Sequence, residues 1–416
     1  MTTWLQCDAC STRFDLFEPI ARCRQCRGLL ALTSDLGPTD LARRFADQGC
    51  CSPALRRSGV WRFRDLILPE ARDADVVSFP EGNTPQVQRA RVAEWAGCRR
   101  LWLKHEGMNP TGSFKDRGMT VAVTHARRLG ARAVACASTG NTSASLAAYA
   151  AHAGLLGVVL IPAGKTALGK LAQTVAYGAT VLAIRGDFDA CLDLVDQASE
   201  RLGLYLVNSI NPLRLAGQKS IVFELLEDRA WRAPDWIALP AGNLGNTSAF
   251  GAALQQAHAL GLIDRIPRLA AVQAEGAAPF ARSYREQFTQ RYRVEADTVA
   301  TAIRIGNPAS HDRAVAAIRG TNGVVTTVSD QDILAAKREI DQAGVGCEPA
   351  SAASVAGVRR LVREGTIGPD EEVVAVLTGH ILKDPEILLR DRGDVVREID
   401  PTLAAVEAAI ASAGQR

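Results

Sequence analysis

From Val77 onward the chain repeats one pattern: a short, continuously apolar run, a loop, then a stretch with helical spacing. Runs without polar alternation are strands buried on both faces. Strands that alternate with helices build a parallel sheet covered on each side. The spacing predicts strands at Arg132–Ala137, Gly157–Ile161, Thr180–Ile184, Leu204–Val207, Trp236–Leu239, Leu269–Gln273, Val324–Val328 and Glu372–Leu377. It predicts helices at Thr142–His152, Leu168–Tyr177, Phe188–Arg201, Leu213–Leu226, Thr247–Ala259, Asp330–Ala343 and Ala350–Arg363. Ligands in such sheets gather beyond the C-terminal ends of the strands, so the chemistry belongs in the loops that follow strands.

Four of those loops are rich in Gly, Asn, Ser and Thr: Ser138–Ser143, Asn208–Arg214, Ala241–Thr247 and Thr378–His380. Most run into or towards a helix, and helix N-termini behind Gly-rich turns bind anions through free N–H groups. Any single loop serves equally well as a plain helix cap. Four at one sheet edge point to a ligand with more than one anionic group.

A fifth segment, Glu106 to Gly118, carries Pro110 and Gly112, which stop the preceding strand. Ser113 is the expected N-cap, with Lys115 in the first turn. The positive end of the helix dipole disfavours an ammonium there. A partly desolvated lysine has a lowered pKa and is a better nucleophile toward a carbonyl. A surface lysine paired with Asp116 is the plain alternative. The choice is narrow, because the chain has only seven lysines: Lys104, Lys115, Lys165, Lys170, Lys219, Lys337 and Lys383.

At 416 residues the chain is too long for one core and calls for two or three domains. A composition 47% hydrophobic and 22% charged excludes a disordered or fibrous chain. The 48 basic and 45 acidic residues nearly cancel, which argues against a dedicated nucleic-acid binder. The first residues show no basic segment before an apolar run, and no run reaches the roughly 18 apolar residues of a membrane span, so neither a secretory start nor a membrane segment is expected.

Four of the ten cysteines fall in the first 26 residues, as Cys7-x2-Cys10 and Cys23-x2-Cys26. Two such pairs present four thiolates to one tetrahedral ion, with structural Zn2+ the expected occupant, in a reducing compartment such as the cytoplasm. The alternative is four unligated thiols in a tail. Cys50, Cys51, Cys98, Cys136, Cys191 and Cys347 show no ligand spacing; Cys136 reads as a small core residue. There is no HExxH and no GxSxG. Gly164-Lys165-Thr166 lacks the first glycine of a P-loop, with Val159 in its place. Asp187 and Asp189 read as helix-cap and first-turn acids.

The segment Asn109-Pro-Thr-Gly-Ser-Phe-Lys115-Asp-Arg-Gly resembles the lysine motif of pyridoxal-phosphate enzymes of the tryptophan-synthase-beta-like fold, fold type II. Within that fold the chain resembles the threonine synthases. Glu81-Gly-Asn-Thr-Pro85, Ser138–Thr142, Asn208–Lys219, Ala302–Ser310, Glu348–Ala353 and Leu377–Asp384 agree. The likeness covers about Phe79 to Pro385, and a four-cysteine ribbon in front also occurs in the family. It implies two open, mostly parallel, three-layer αβα sheets behind the ribbon. The expected divisions are a zinc ribbon (1–32), a connector (33–76), a large cofactor-binding domain (77–125 and 211–400), a small domain (126–210) and a tail (401–416).

The resemblance assigns roles. Lys115 is implied as the Schiff-base lysine and proton carrier, with Phe114 beside the cofactor. Gly242, Asn243, Leu244, Gly245 and Asn246 are implied as the cofactor-phosphate cup, Asn141 as partner of the ring hydroxyl and Thr378 of the ring nitrogen. Ser138, Thr139 and Thr142 resemble a carboxylate loop for an amino-acid substrate. Asn208, Ser209 and Arg214, with Thr142, resemble a pocket for the substrate's phosphate, which an Arg fork suits. The implied reaction converts O-phospho-L-homoserine and water to L-threonine and phosphate, in a homodimer.

Two positions depart from the family pattern: Ile381 stands for a Gly, and Ser11 for the Gly that commonly follows the first Cys pair. They leave open another replacement or elimination enzyme, such as a cysteate-synthase-like relative. Because Arg13, Arg22, Arg24 and Arg27 flank the cysteines, a nucleic-acid-binding ribbon on an inactive body is a further alternative.

Overall fold

The computed structural model describes residues 3–35, 37, 52–164, 168–390 and 398–413. Cys50, Cys51, Lys165, Thr166 and parts of the expected connector, large domain and tail lie outside the described residues. The chain divides into two compact units, Met1–Lys383 and Asp384–Arg416. The second holds the helices Pro385–Arg390 and Leu403–Ala413.

Among its described residues the first unit contains three sheets. At the N-terminus, β1 (Thr3–Cys7), β2 (Arg13–Asp15) and β3 (Leu30–Ser34) pair antiparallel in the order β2-β1-β3. A six-stranded sheet follows, built from β4 (Gln86–Val87), β5 (Arg100–His105), β10 (Trp236–Pro240), β11 (Arg268–Ala274), β12 (Val324–Val328) and β13 (Glu372–Leu377). Its order is β12-β11-β10-β13-β5-β4, parallel except for the β4–β5 edge. The third sheet is fully parallel and contains β6 (Ala133–Ala137), β7 (Leu156–Pro162), β8 (Thr180–Ile184) and β9 (Tyr205–Leu206), in the order β8-β7-β6-β9.

The apolar runs became strands because helices cover both faces: every residue of β6 and β10 is buried. The strand order then gathers the loops. β5, β13 and β10 are neighbours, so Glu106–Lys115, Thr378–His380 and Ala241–Gly245 leave the same edge. β6 and β9 are neighbours and deliver Ser138–Asn141 and Val207–Asn211.

Three expectations change. The helix expected over Leu213–Leu226 is interrupted at Lys219 into Pro212–Gln218 and Ser220–Glu227. The Lys219 N–H is shared between the Leu215 and Ala216 carbonyls, and its Nζ bonds Leu66 O and Gln256 Oε1. Phe114, not Ser113, occupies the cap position of helix Lys115–Arg128; Ser113 Oγ still accepts the Lys115 N–H at 3.4 Å. The segment read as a connector carries core, because Val60, Trp61, Phe63 and Leu68 are fully buried.

Two glycines place the lysine helix. A Cβ on Gly217 would lie 2.1 Å from Arg117 O, and one on Gly118 would lie 2.8 Å from Arg214 O. Only glycine at both positions lets helices Lys115–Arg128 and Pro212–Gln218 touch backbone to backbone. That contact brings Arg214 beside Lys115. Beneath it, Arg117 binds Glu106 and Glu224, and Lys104 binds Glu224, with all four side chains fully buried.

Candidate active site

Lys115 opens its helix half-buried, with Nζ 4.1 Å from the Phe114 ring centroid. Asp116 is not its partner: that carboxylate accepts from Thr111 N, Thr111 Oγ1 and Ser145 Oγ at 2.6–2.7 Å. Burial lowers the Lys115 pKa to about 7, helped by the Arg214 charge and opposed by Glu348. An amine poised near neutrality has its attacking, uncharged form at hand at pH 7.

Arg214 is 1% exposed, yet only its Nη1 has a partner, Val207 O at 2.9 Å; Nε and Nη2 have none. Burial lowers its pKa to about 10, so it stays cationic at pH 7. A buried guanidinium with two idle donors is a site for an oxyanion. Nearby, Ser209 Oγ accepts from Asn243 Nδ2 at 2.6 Å, which ties the 208–211 loop to the 241–245 loop. Asn208 is used differently: its amide pairs with both the N–H and the C=O of Ala137, at 3.1 Å each, and locks the end of β6.

The second anion site lies at the start of helix Gly245–Ala259. Leu244 takes φ +64° and turns the chain into the helix. Gly242 is required by space, since a Cβ there would lie 2.9 Å from Ile303 Cα. Asn243 Oδ1 accepts the Ala309 N–H at 2.6 Å and fixes the loop from the far side. Asn246 Oδ1, Thr247 Oγ1 and Ser310 Oγ are buried without a partner. Free N–H groups at a 15-residue helix, with the idle Thr247 and Ser310 hydroxyls as further donors, fit a bound phosphate.

Two further loop residues are Asn141, the first residue of helix Asn141–Ala153, and Thr378, directly after β13. Sequence reasoning named both but gave no role to the residue that joins them. Glu348 accepts from Asn141 Nδ2 at 2.9 Å and from Thr378 Oγ1 at 3.2 Å. Ser351 Oγ lies 2.9 Å from Thr378 Oγ1 and accepts the Gly379 N–H at 2.9 Å. The signal was available: a Glu directly before Pro349 reads as a helix-start acid, but this one makes no cap bond to its own helix. Lys383 is a second lysine at the site; burial lowers its pKa, while the Glu348 and Asp116 charges raise it. Ser138, Thr139 and Thr142 are half-buried at the same helix start, and the Ser138 hydroxyl accepts the Gly140 N–H at 3.3 Å. Ile381 packs against Gly346, where a Cβ would come within 3.2 Å of it.

The ribbon cysteines converge: the Sγ atoms of Cys7, Cys10, Cys23 and Cys26 all lie within 4.8 Å of one another. Gly28 makes room, since a Cβ there would lie 2.9 Å from Cys7 Sγ. Ser11 and Arg27, each one residue past a pair, take φ of 58° and 60°. This left-handed turn explains why glycine suits position 11. Arg27 pairs with Glu200 at 2.5 Å and Asp8 with Arg313, joining the ribbon to the rest of the first unit. No helix among the described residues is long and apolar enough to cross a membrane.

Comparison with known proteins agrees with this geometry. The family model described as pyridoxal-phosphate dependent enzyme matches residues 77–379. A threonine synthase of Methanosarcina acetivorans is 46% identical over 411 residues, 98% of each chain. One of Methanocaldococcus jannaschii is 42% identical over 387 residues, 92% of this chain and 94% of that protein. The fold superposes on threonine synthase from Escherichia coli with a TM-score of 0.70 at 21% identity, covering 98% of this chain and 94% of that one. Maize serine racemase gives a TM-score of 0.64 at 18% identity, covering 91% and 98%. The chain belongs to the pyridoxal-phosphate-dependent enzymes and, within them, to the threonine synthases.

Proposed function

We propose that the protein is a carbon–oxygen lyase that converts O-phospho-L-homoserine and water to L-threonine and phosphate. The observation that carries this reading is the buried Arg214 fork, with Nε and Nη2 unpartnered beside Lys115. A substrate that leaves as phosphate needs such a receiver, and a substrate without one does not.

The residues fit pyridoxal phosphate. Gly242, Asn243, Leu244, Gly245 and Asn246 would hold its phosphate, Asn141 and Thr378 its ring, and Lys115 its aldehyde carbon, with Phe114 alongside. When bound, the cofactor supplies an electron sink for charge developing at the substrate's Cα and Cβ. Lys115 then acts as base and acid: it takes the Cα proton and the Cβ proton, and after phosphate leaves Cγ one proton returns at Cγ, water adds its oxygen at Cβ, and a proton returned at Cα completes threonine. Ser138, Thr139 and Thr142 hold the substrate carboxylate. Arg214, with Ser209 and Thr142, holds the substrate phosphate and stabilises it as it departs from Cγ, while Asn208, its amide paired with Ala137, sets the loop that carries them.

The same reading divides the chain into a large domain (77–125 and 211–400), built on the mostly parallel six-stranded sheet, and a small domain (126–210), built on the fully parallel four-stranded one. It gives the ribbon a structural Zn2+, supported by the convergence of four sulfurs. It also takes the working form to be a cytoplasmic homodimer acting on a small amino acid; light scattering tests the dimer.

The deciding experiment adds O-phospho-L-homoserine to the purified, cofactor-loaded protein and assays phosphate and threonine together. Equal amounts of both products support the reading, and their loss in Lys115→Ala assigns them to this site. A cofactor-loaded protein that releases neither would overturn the substrate and leave the cofactor in place.

A further inference from the structure

Glu348 is 4% exposed and precedes the 15-residue helix Pro349–Arg363. A carboxylate at a helix start ordinarily accepts N–H groups of that helix, but this one accepts none. It turns instead toward the end of β13, held by its own N–H to Gly379 O at 3.0 Å. It lies flat against Gly379, where a Cβ would come within 2.5 Å of the carboxyl carbon. Its two oxygens then go to two different parts of the fold. Oε2 takes Asn141 Nδ2 from the loop after β6, and Oε1 takes Thr378 Oγ1 from the end of β13.

A carboxylate only accepts hydrogen bonds, so the end of the Asn141 amide that faces Glu348 must be its NH2 group. One N–H is used, and the amide is thereby fixed with its second N–H free to donate elsewhere. Without the carboxylate nothing here distinguishes the two ends of that amide. Thr378 is held as firmly, between Glu348 on one side and Ser351 on the other.

From this juxtaposition we propose that Glu348 is a positioning residue: it clamps Asn141 to Thr378 across the two sheets and keeps the Asn141 amide turned as a donor for the cofactor ring. The inference rests on the cofactor reading above. Asn141 as a fixed donor favours the deprotonated form of the ring oxygen, which absorbs at longer wavelength than the protonated form. Burial raises the pKa of the Glu348 carboxyl above the usual carboxylate range, while the Asn141 and Thr378 hydrogen bonds and the charges facing it, Lys383 and Lys115, pull the other way.

The test compares visible spectra of the pyridoxal-phosphate-loaded wild type, Glu348→Gln and Glu348→Ala. The carboxamide can offer N–H groups of its own and so releases the Asn141 amide to turn, while Ala removes the clamp altogether. Both variants are expected to move absorbance from the visible band toward the ultraviolet. The kcat should fall roughly tenfold, the worth of one charge-assisted hydrogen bond, with KM changed less than about twofold. In an Asn141→Ala background, Glu348→Gln should add no further spectral change. Spectra of both variants that superpose on wild type overturn the proposal. So does an equal shift in the Asn141→Ala background, or a rise in KM at unchanged kcat. A wild type that takes up no cofactor overturns the site reading itself, which separates the two failures.

Discussion

Two buried arginines on helices in backbone contact have opposite surroundings. Arg117 is 0% exposed, and its Nε and Nη2 reach Glu106, while Nη2 also reaches Glu224, at 2.6–2.7 Å. Its Nη1 adds Gly59 O at 3.1 Å. Arg214 is 1% exposed and faces no carboxylate, with one backbone carbonyl for Nη1 and nothing for Nε or Nη2. An arginine whose charge is matched inside the protein belongs to the framework. One left unmatched at the same depth is a cost the fold carries for a ligand. The Glu106 and Glu224 carboxylates hold Arg117 fully charged, whereas burial alone pulls Arg214 down.

The largest effect should come from breaking the matched arginine. Arg117→Met leaves Glu106 and part of Glu224 buried without their cation and should cost about 3–5 kcal/mol of stability in denaturant unfolding. Arg214→Met removes an unmatched charge and should cost less than about 1 kcal/mol, or even stabilise the free protein. A comparable loss in both variants would erase the contrast between them.

The kinetic order should be reversed. Arg214→Met removes two charge-assisted bonds to the substrate's phosphate and should lower kcat/KM by roughly 10²–10³-fold in steady-state assays. A variant with wild-type kcat/KM would remove Arg214 from the substrate's path.

A smaller effect sharpens the same contrast through Lys115. Its folded pKa of about 7 means the amine is protonated below that pH and free above it. The rate at which cofactor-free protein captures pyridoxal phosphate should therefore rise as pH rises through about 7 and then level off, as followed by stopped-flow absorbance. Arg214 is one of the charges that lower this pKa, so Arg214→Met should move the midpoint upward. A midpoint that does not move would mean that the arginine charge is not felt at the amine.

The smallest effect at the site should come from the ribbon. Cys26→Ser removes one of four converging sulfurs and should abolish bound zinc by elemental analysis. The spectrum of the bound cofactor should stay as in wild type, because the ribbon's hydrogen bonds and ion pairs to the body, such as Leu16 O with His125 and Arg27 with Glu200, go to residues outside the site. A changed cofactor spectrum would join the ribbon to the site.

Local chemistry was enough to read much of this protein from its sequence. Apart from the helix broken at Lys219, the apolar runs and helical stretches appear where their spacing placed them, with Thr180–Ile184, Val324–Val328 and Glu372–Leu377 matching to the residue. Four cysteines in two tight pairs, and a lysine opening a helix among glycine-rich loops, are short-range patterns whose meaning survives without the fold. Other features depended on residues far apart in sequence. The seated core of 60–68, the depth of Arg214 and the four-way charge cluster under Lys115 come from segments more than a hundred residues apart. Glu348 is the clearest case. Beside Pro349 it reads as a helix-start acid, and only strand order and the close approach of Gly379 turn its carboxylate onto Asn141, 207 residues away. Sequence spacing settles what a side chain can do, whereas the partner it meets depends on which strands become neighbours, and that is a property of the packed sheets alone.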